Sequence, residues 1–216
     1  MLRIACSCWA MITRMDRQIG ALLARLAELG IDQRTLVVFT SDNGPHQEGG
    51  PQYDPDFFQA SGPLRGIKRS LTDGGIRVPF LARWPGKIQP GVSNHVGYFG
   101  DFLATAAELA GVRPPPDLDS ISLVPTLLGR PAEQARHEYL YWEFYERGIS
   151  QAVLLDGRWK GIRLKSLAAP LELYDLRHDL AEQQDVAAEH PELVARIGRI
   201  MDTARVDNEF WKLPAH

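Results

Sequence analysis

Asp42 and Asn43 stand directly after the apolar run Leu36-Val37-Val38-Phe39-Thr40, within Ser41-Asp42-Asn43-Gly44-Pro45-His46. A carboxylate beside a carboxamide carbonyl offers two hard oxygen donors, which suit Ca²⁺ or Mg²⁺. A strand buried on both faces would deliver them to the C-terminal edge of a sheet, where open α/β sheets bind ligands. Gly44 is expected to let the backbone turn sharply after them. An Asx turn or helix cap after a strand uses the same residue types. Further on come Gly62-Pro63-Leu64-Arg65-Gly66-Ile67-Lys68 and Asp73-Gly74-Gly75-Ile76-Arg77-Val78-Pro79. Arg65 and Arg77 can each bind an anion, but the expected role is structural, pairing with carboxylates near this loop, and Asp73 is a candidate partner of one of them.

These segments, in this order, resemble the sulfatase family in its arylsulfatase branch, within the alkaline phosphatase superfamily. The family pattern is a strand, S-D-N-G, a G-x-K element, then an acidic residue and G-G-x-R-V-P. Asp73 stands where Glu is usual. The resemblance runs from about Ala10 to about Trp211 and is carried by the joint match, not by any one piece. It implies that Asp42 and Asn43 are metal ligands, with Ca²⁺ or Mg²⁺ as the cofactor. It implies that Lys68 is a catalytic and substrate-binding cation, stabilising the anionic sulfate ester in a dry site. It also gives His46 a place on the substrate side of the pocket. The bland alternatives are a solvated surface lysine and a loop histidine.

The family's nucleophile is absent from these residues. It is a formylglycine made from the Cys or Ser of C-x-P-x-R or S-x-P-x-R, and it lies far upstream of the Asp-Asn-Gly strand. About forty residues precede Asp42, and neither Cys6 nor Cys8 is followed by the required Pro and Arg. Ser61-Gly62-Pro63-Leu64-Arg65 satisfies the bare pattern, but its place after the metal strand marks it as the ordinary loop before the lysine. The resemblance therefore implies the C-terminal portion of a sulfatase, from a truncated gene, a misplaced start or a frameshift. Such a chain is expected to bind its metal weakly and to be inactive alone. Association with a missing N-terminal half is the partner this suggests. In the intact enzyme the partner would be a sulfated small molecule or glycan.

The positioning elements follow from periodicity. Met11, Met15, Ile19, Leu22, Leu26 and Leu29 recur at helical spacing up to Gly30. With the buried strand Leu36–Thr40 they form an α-then-β unit of a mainly parallel sheet. Residues 44–75, rich in Gly and Pro, read as loop, and Val78–Arg83 as a further strand. Asp101 is placed to cap a helix ending before Gly111. Beyond Glu138 three short strands are expected, over Tyr139–Phe144, Ala152–Leu155 and Trp159–Leu164, with Asp156-Gly157 as a hairpin turn. Pro191 opens a last helix whose apolar face is Leu193, Ile197, Ile200 and Met201, with His190 as its cap. The expected fold class is α/β: a partial, mainly parallel sandwich sheet of the sulfatase and alkaline phosphatase type. A small antiparallel sheet with a C-terminal helix follows. The expected domains are 1–130, the end of the α/β domain, and 131–216, the small subdomain.

Composition is ordinary for a globular chain: 216 residues, 44% hydrophobic, 24% charged, net charge −3. It gives no nucleic-acid signal, Lys68-Arg69 being the longest basic run, and no apolar run near the ~20 residues of a membrane span. Cys6 and Cys8 are too close for an easy bridge and form no disulfide framework. Compartment stays open, although intact relatives are often exported or periplasmic. Two rivals remain. A phosphatase or phosphodiesterase relative would use two metals and several Asp and His ligands, including an Asp-His pair where Asp42-Asn43 stands. A non-catalytic fragment or binding remnant would expose a strand edge and an apolar face.

Overall fold

Residues Leu2–Glu28 form the first helix, α1. It stops in a Schellman turn: Gly30 takes φ 65°, its N–H donates to the Ala27 carbonyl, and the Ile31 N–H donates to that of Leu26. The computed structural model describes residues 2–48, 53–146 and 148–210, with side chains from Trp9 onward. Cys6 and Cys8 therefore have side chains outside the described residues. The chain divides into two units. The first holds Met1–Asp42, His46–Phe58 and Val78–Arg136; the second holds Asn43–Pro45, Gln59–Arg77 and His137–His216.

In the first unit, β1 (Val37–Thr40) pairs with β2 (Phe80–Arg83) in antiparallel register, Val37 opposite Arg83 and Thr40 opposite Phe80. No parallel ladder occurs among the described residues. A parallel pair needs a crossover long enough to return the chain, usually a helix. Among its described residues, the link from β1 to β2 carries one helix, the four-residue α2 (Asp73–Ile76). The full burial expected of β1 is corrected: its residues are half-buried, and Phe39 is exposed, as are Phe80 and Leu81 on β2. Among the described residues each strand has one ladder. The apolar residues Trp9, Met11, Ile12, Met15 and Leu22 of α1 are likewise exposed.

The helix α3 spans Asp101–Leu109 and ends at Gly111 as expected, but Asp101 is its first residue and not its cap. The fully buried Asp101 carboxylate accepts the N–H groups of Tyr98 at 3.0 Å and Ile121 at 2.9 Å. Its role is to join two loops, and nearby burial and the Asp101 charge push the Tyr98 phenol up. Thr105 continues this link by accepting the Leu123 N–H at 2.9 Å, ahead of the short helix α4 (Val124–Leu127).

The second unit is built on a four-stranded antiparallel sheet in the order β3 (Tyr139–Tyr145), β4 (Ile149–Leu155), β5 (Trp159–Arg163), β6 (Glu172–Asp175). Asp156 and Gly157 both take positive φ, 53° and 65°, as the tight turn between β4 and β5 requires. The fourth strand, β6, is an addition to the three expected. Alternation splits the sheet into two faces. Val153, Leu155 and Leu173 pack with Ile197 and Met201 of the last helix, α5 (Pro191–Thr203). Gly161 lets that helix approach, since a Cβ there would lie 2.6 Å from Ile197 Cγ2. The opposite face, Ala152, Ile162 and Tyr174, packs on Leu71 from the 59–77 loop. His190 holds the N-cap position of α5 but makes no side-chain capping bond; its ring rests on Trp159 instead.

Candidate functional site

Asp42 follows the end of β1 and is solvent-exposed in the first unit. His46, also in that unit, is exposed; its Nδ1 accepts the Glu48 N–H at 3.0 Å, and its ring stacks on Tyr53 at 5.4 Å. In the neutral ring the proton then sits on Nε2. Asn43 and Lys68 are both half-buried members of the second unit.

Backbone bonds bring the Asn43 and Lys68 segments together. The Lys68 N–H donates to the Pro45 carbonyl at 2.8 Å, and the Gly44 N–H to the Gly75 carbonyl at 2.9 Å. The Gly74 N–H donates to the Arg65 carbonyl at 2.7 Å. Three strands of loop are thus laced edge to edge, too close for side chains. A Cβ on Gly44 would stand 1.8 Å from the Gly74 carbonyl oxygen, and one on Gly74 would stand 2.1 Å from that of Gly66. Gly44 closes a bend over Asp42–Gly44, as expected, but without positive φ; what demands glycine there is the close approach of Gly74.

Beneath the laced loop lies a buried charge cluster that the sequence did not reveal. Lys160 on β5 is 1% exposed; its Nζ donates to Asp73 Oδ1 and lies 3.0 Å from Glu182 Oε1. Glu182 Oε2 accepts the Asp73 N–H at 2.8 Å, and Arg77 reaches Asp73 Oδ2 at 3.3 Å. Burial pushes the Glu182 carboxyl up, against the pull of Lys160 and the Asp73 N–H. Arg65 is also structural: it donates to the Tyr174 hydroxyl at 2.8 Å and the Glu182 carbonyl at 3.0 Å, and pairs with Glu172 at 3.6 Å. Burial and the hydrogen bond to Glu172 push the Tyr174 phenol up to about 12.

Ser61 donates its hydroxyl to the Gly66 carbonyl at 2.7 Å, a local turn bond. Among the described residues, no group of three or more His, Cys, Asp and Glu side chains is placed to hold a metal. Asp42 and Asn43 have the right donor chemistry for a hard cation, but two residues fall short of the six to eight oxygens Ca²⁺ takes. His178 bonds Asp175 at 2.9 Å on the surface, far along the chain from these segments. No helix among the described residues is long and apolar enough to cross a membrane.

Comparison with known proteins bears directly on these loops. The sulfatase family model matches residues 4–112, and that of the N-sulphoglucosamine sulphohydrolase C-terminal region matches residues 67–206. The chain belongs to the sulfatase family. Among its sulfatase relatives, an N-acetylgalactosamine-6-O-sulfatase of Bacteroides thetaiotaomicron is 30% identical over 90% of this chain and 41% of its own length. The steryl-sulfatase of Mus musculus is 40% identical over 68% of this chain and 23% of its own length. A solved structure, that of Ps i-CgsB in complex with k-i-k-neocarrahexaose, superposes with a TM-score of 0.73 at 27% identity, covering 88% of this chain and 40% of that one. The fold is accordingly the sulfatase α/β fold with its small antiparallel sheet and C-terminal helix. This sulfatase chain spans less than half the length of the relatives it matches.

Proposed function

We propose that these residues are part of an arylsulfatase-like sulfuric ester hydrolase. Asp42 and Asn43 are its metal ligands, Lys68 its catalytic and sulfate-binding cation, and His46 a substrate-side contact. The reading is supported most by one observation: the Lys68 N–H to Pro45 carbonyl bond ties the lysine's backbone to the chain two residues after Asn43. An ammonium held at a sulfate ester opposes the negative charge that gathers as the alcohol leaves. Asp42 and Asn43 would hold Ca²⁺, or Mg²⁺, weakly. Such a cation supplies positive charge that clamps sulfate oxygens. The name of the bacterial relative supports a sulfated sugar as the substrate class.

The 216 residues hold no C-x-P-x-R sequence, and Ser61 sits in a structural turn. Without a covalent nucleophile, the two-step path that makes ester cleavage easy is closed. This polypeptide alone therefore binds but does not turn over. By sequence the domain division falls near residue 130, while in the fold Asn43–Pro45 and Gln59–Arg77 cluster with the antiparallel sheet. The test is an assay of the purified chain with Ca²⁺ and 4-nitrophenyl sulfate. No phenol release is expected; release that disappears in Lys68→Ala would refute the inactivity while keeping Lys68 in its role.

A further inference from the structure

We infer that Lys160 is a positioning residue for the sulfate site: with Glu182 it fixes the Asp73-Gly74-Gly75 turn, which sets Asn43 and Lys68 at their working separation. The inference rests on the roles given above to Asn43 and Lys68, and it extends them to a side chain that touches neither.

The geometry runs in one continuous path through the second unit. Lys160 Nζ holds Asp73 Oδ1 and lies against Glu182 Oε1, while Glu182 Oε2 takes the Asp73 N–H at 2.8 Å. Both the side chain and the backbone of Asp73 are therefore pinned. Two residues on, the Gly75 carbonyl takes the Gly44 N–H at 2.9 Å, directly after Asn43. The Pro45 carbonyl then takes the Lys68 N–H at 2.8 Å. The path starts with buried side-chain contacts at Asp73 and continues through two backbone hydrogen bonds. A shift of the turn moves both functional residues.

Energetics favour the same conclusion. Lys160 and Glu182 are 1% exposed and Asp73 6%. Burying such charges gains little over apolar packing of the same volume, because desolvation consumes most of the attraction. A leucine or methionine set could hold this face of the sheet equally well. What the charged set adds is direction: one ammonium addresses two carboxylate oxygens, and Arg77 holds the remaining oxygen of Asp73 at 3.3 Å. Lys160 also sits on the strand face that packs on the loop, in register with Tyr174 and two residues from Ile162. The sheet serves as the base against which the loop is set.

The test compares the full chain with Lys160→Met and with Lys160→Met/Glu182→Gln. The double variant leaves one buried carboxylate in place of two, and so remains available if the single variant fails to fold. Backbone amide exchange and amide proton shifts are read by NMR without ligand. The expected result is exchange at Gly44, Lys68 and Gly74 faster by about tenfold, against less than about twofold at Val153 and Leu155 of β4. The Gly44 and Lys68 amide protons should also move upfield as their bonds lengthen. Affinity for N-acetylgalactosamine 6-sulfate with Ca²⁺, per folded molecule, should fall by about tenfold. Uniform acceleration at all amides, or none at the three, overturns the inference. A parent chain that binds no sulfate ester overturns the functional reading instead, and is distinguishable because it leaves the exchange comparison intact.

Discussion

Gly44→Ala puts the laced loop to the most direct mechanical test. The added Cβ would stand 1.8 Å from the Gly74 oxygen, 2.9 Å from its carbonyl carbon and 3.1 Å from Gly75 Cα. All three are backbone atoms, so no flexible side chain can swing aside. To reach ordinary contact the two segments must part by more than an ångström. That takes the Gly44 to Gly75 bond from 2.9 Å beyond the hydrogen-bond range. Overpacking costs about 1–3 kcal/mol, and each lost bond about 1 kcal/mol. With the Lys68 to Pro45 bond strained as well, the sum is about 2–4 kcal/mol. Peeling residues 43–45 off the turn would relieve the clash, at the cost of the bonds that place Asn43. Urea unfolding followed by the fluorescence of Trp142 and Trp159 measures the loss. Gly20→Ala serves as the control: Gly20 is exposed inside α1, and a Cβ there would meet nothing within 4 Å. That change should stabilise the helix by about 0.5–1 kcal/mol. A Gly44→Ala chain within about 0.5 kcal/mol of the parent, with unchanged Lys68 amide shift, would refute the reasoning.

Two further outcomes follow from the second unit. Ile197→Ala removes a fully buried side chain at the contact of α5 with Gly161 and should cost about 2–5 kcal/mol in the same unfolding experiment; a loss under about 1 kcal/mol would mean that α5 is not seated on the sheet. The Asp175 carboxyl is held well below the usual range by its hydrogen bonds from Arg158, with burial opposing and His178 and the Arg177 N–H assisting. A folded-state value below the unfolded one gives stability that is complete above roughly pH 5 and is lost as pH falls. Melting temperatures of the parent and Asp175→Asn should therefore differ at pH 7 and converge toward pH 3, and a gap that widens in acid would contradict the assignment.

The parts of the fold legible in the sequence are those fixed by local pattern. The helical spacing from Met11 to Leu29 and its stop at Gly30 come from neighbours three and four apart. So does the apolar face of α5, while the turn at Asp156-Gly157 is fixed by two adjacent residues. The parts that are not legible are fixed by distant partners. β6 has only four residues, Glu172–Asp175, and becomes a strand because β5 offers it an edge. β1 carries a sequence fit for burial yet stays half-exposed, since hydrophobicity states a preference and says nothing of what is present to satisfy it. Gly44 stands out in the sequence, but as a turn residue; close packing of backbone against backbone leaves no trace in one segment. Lys160 and Glu182 escape a sequence reading because Asp73 lies 87 and 109 residues from them. One signal is present: Lys160 alternates with Ile162 on an otherwise inward-facing strand, and a charge at such a position needs a buried partner.

The central claim is that Asn43 and Lys68 form part of a sulfate-ester site together with Asp42. It is tested most directly by titrating the isotope-labelled chain with N-acetylgalactosamine 6-sulfate, with and without Ca²⁺, while following the Asn43 and Lys68 resonances. The account predicts saturable shifts at both residues, with a Kd on the order of 1 mM, tighter with Ca²⁺, lost in Lys68→Ala, and without release of sulfate. Shifts absent at both residues, or unchanged by Lys68→Ala, would contradict it.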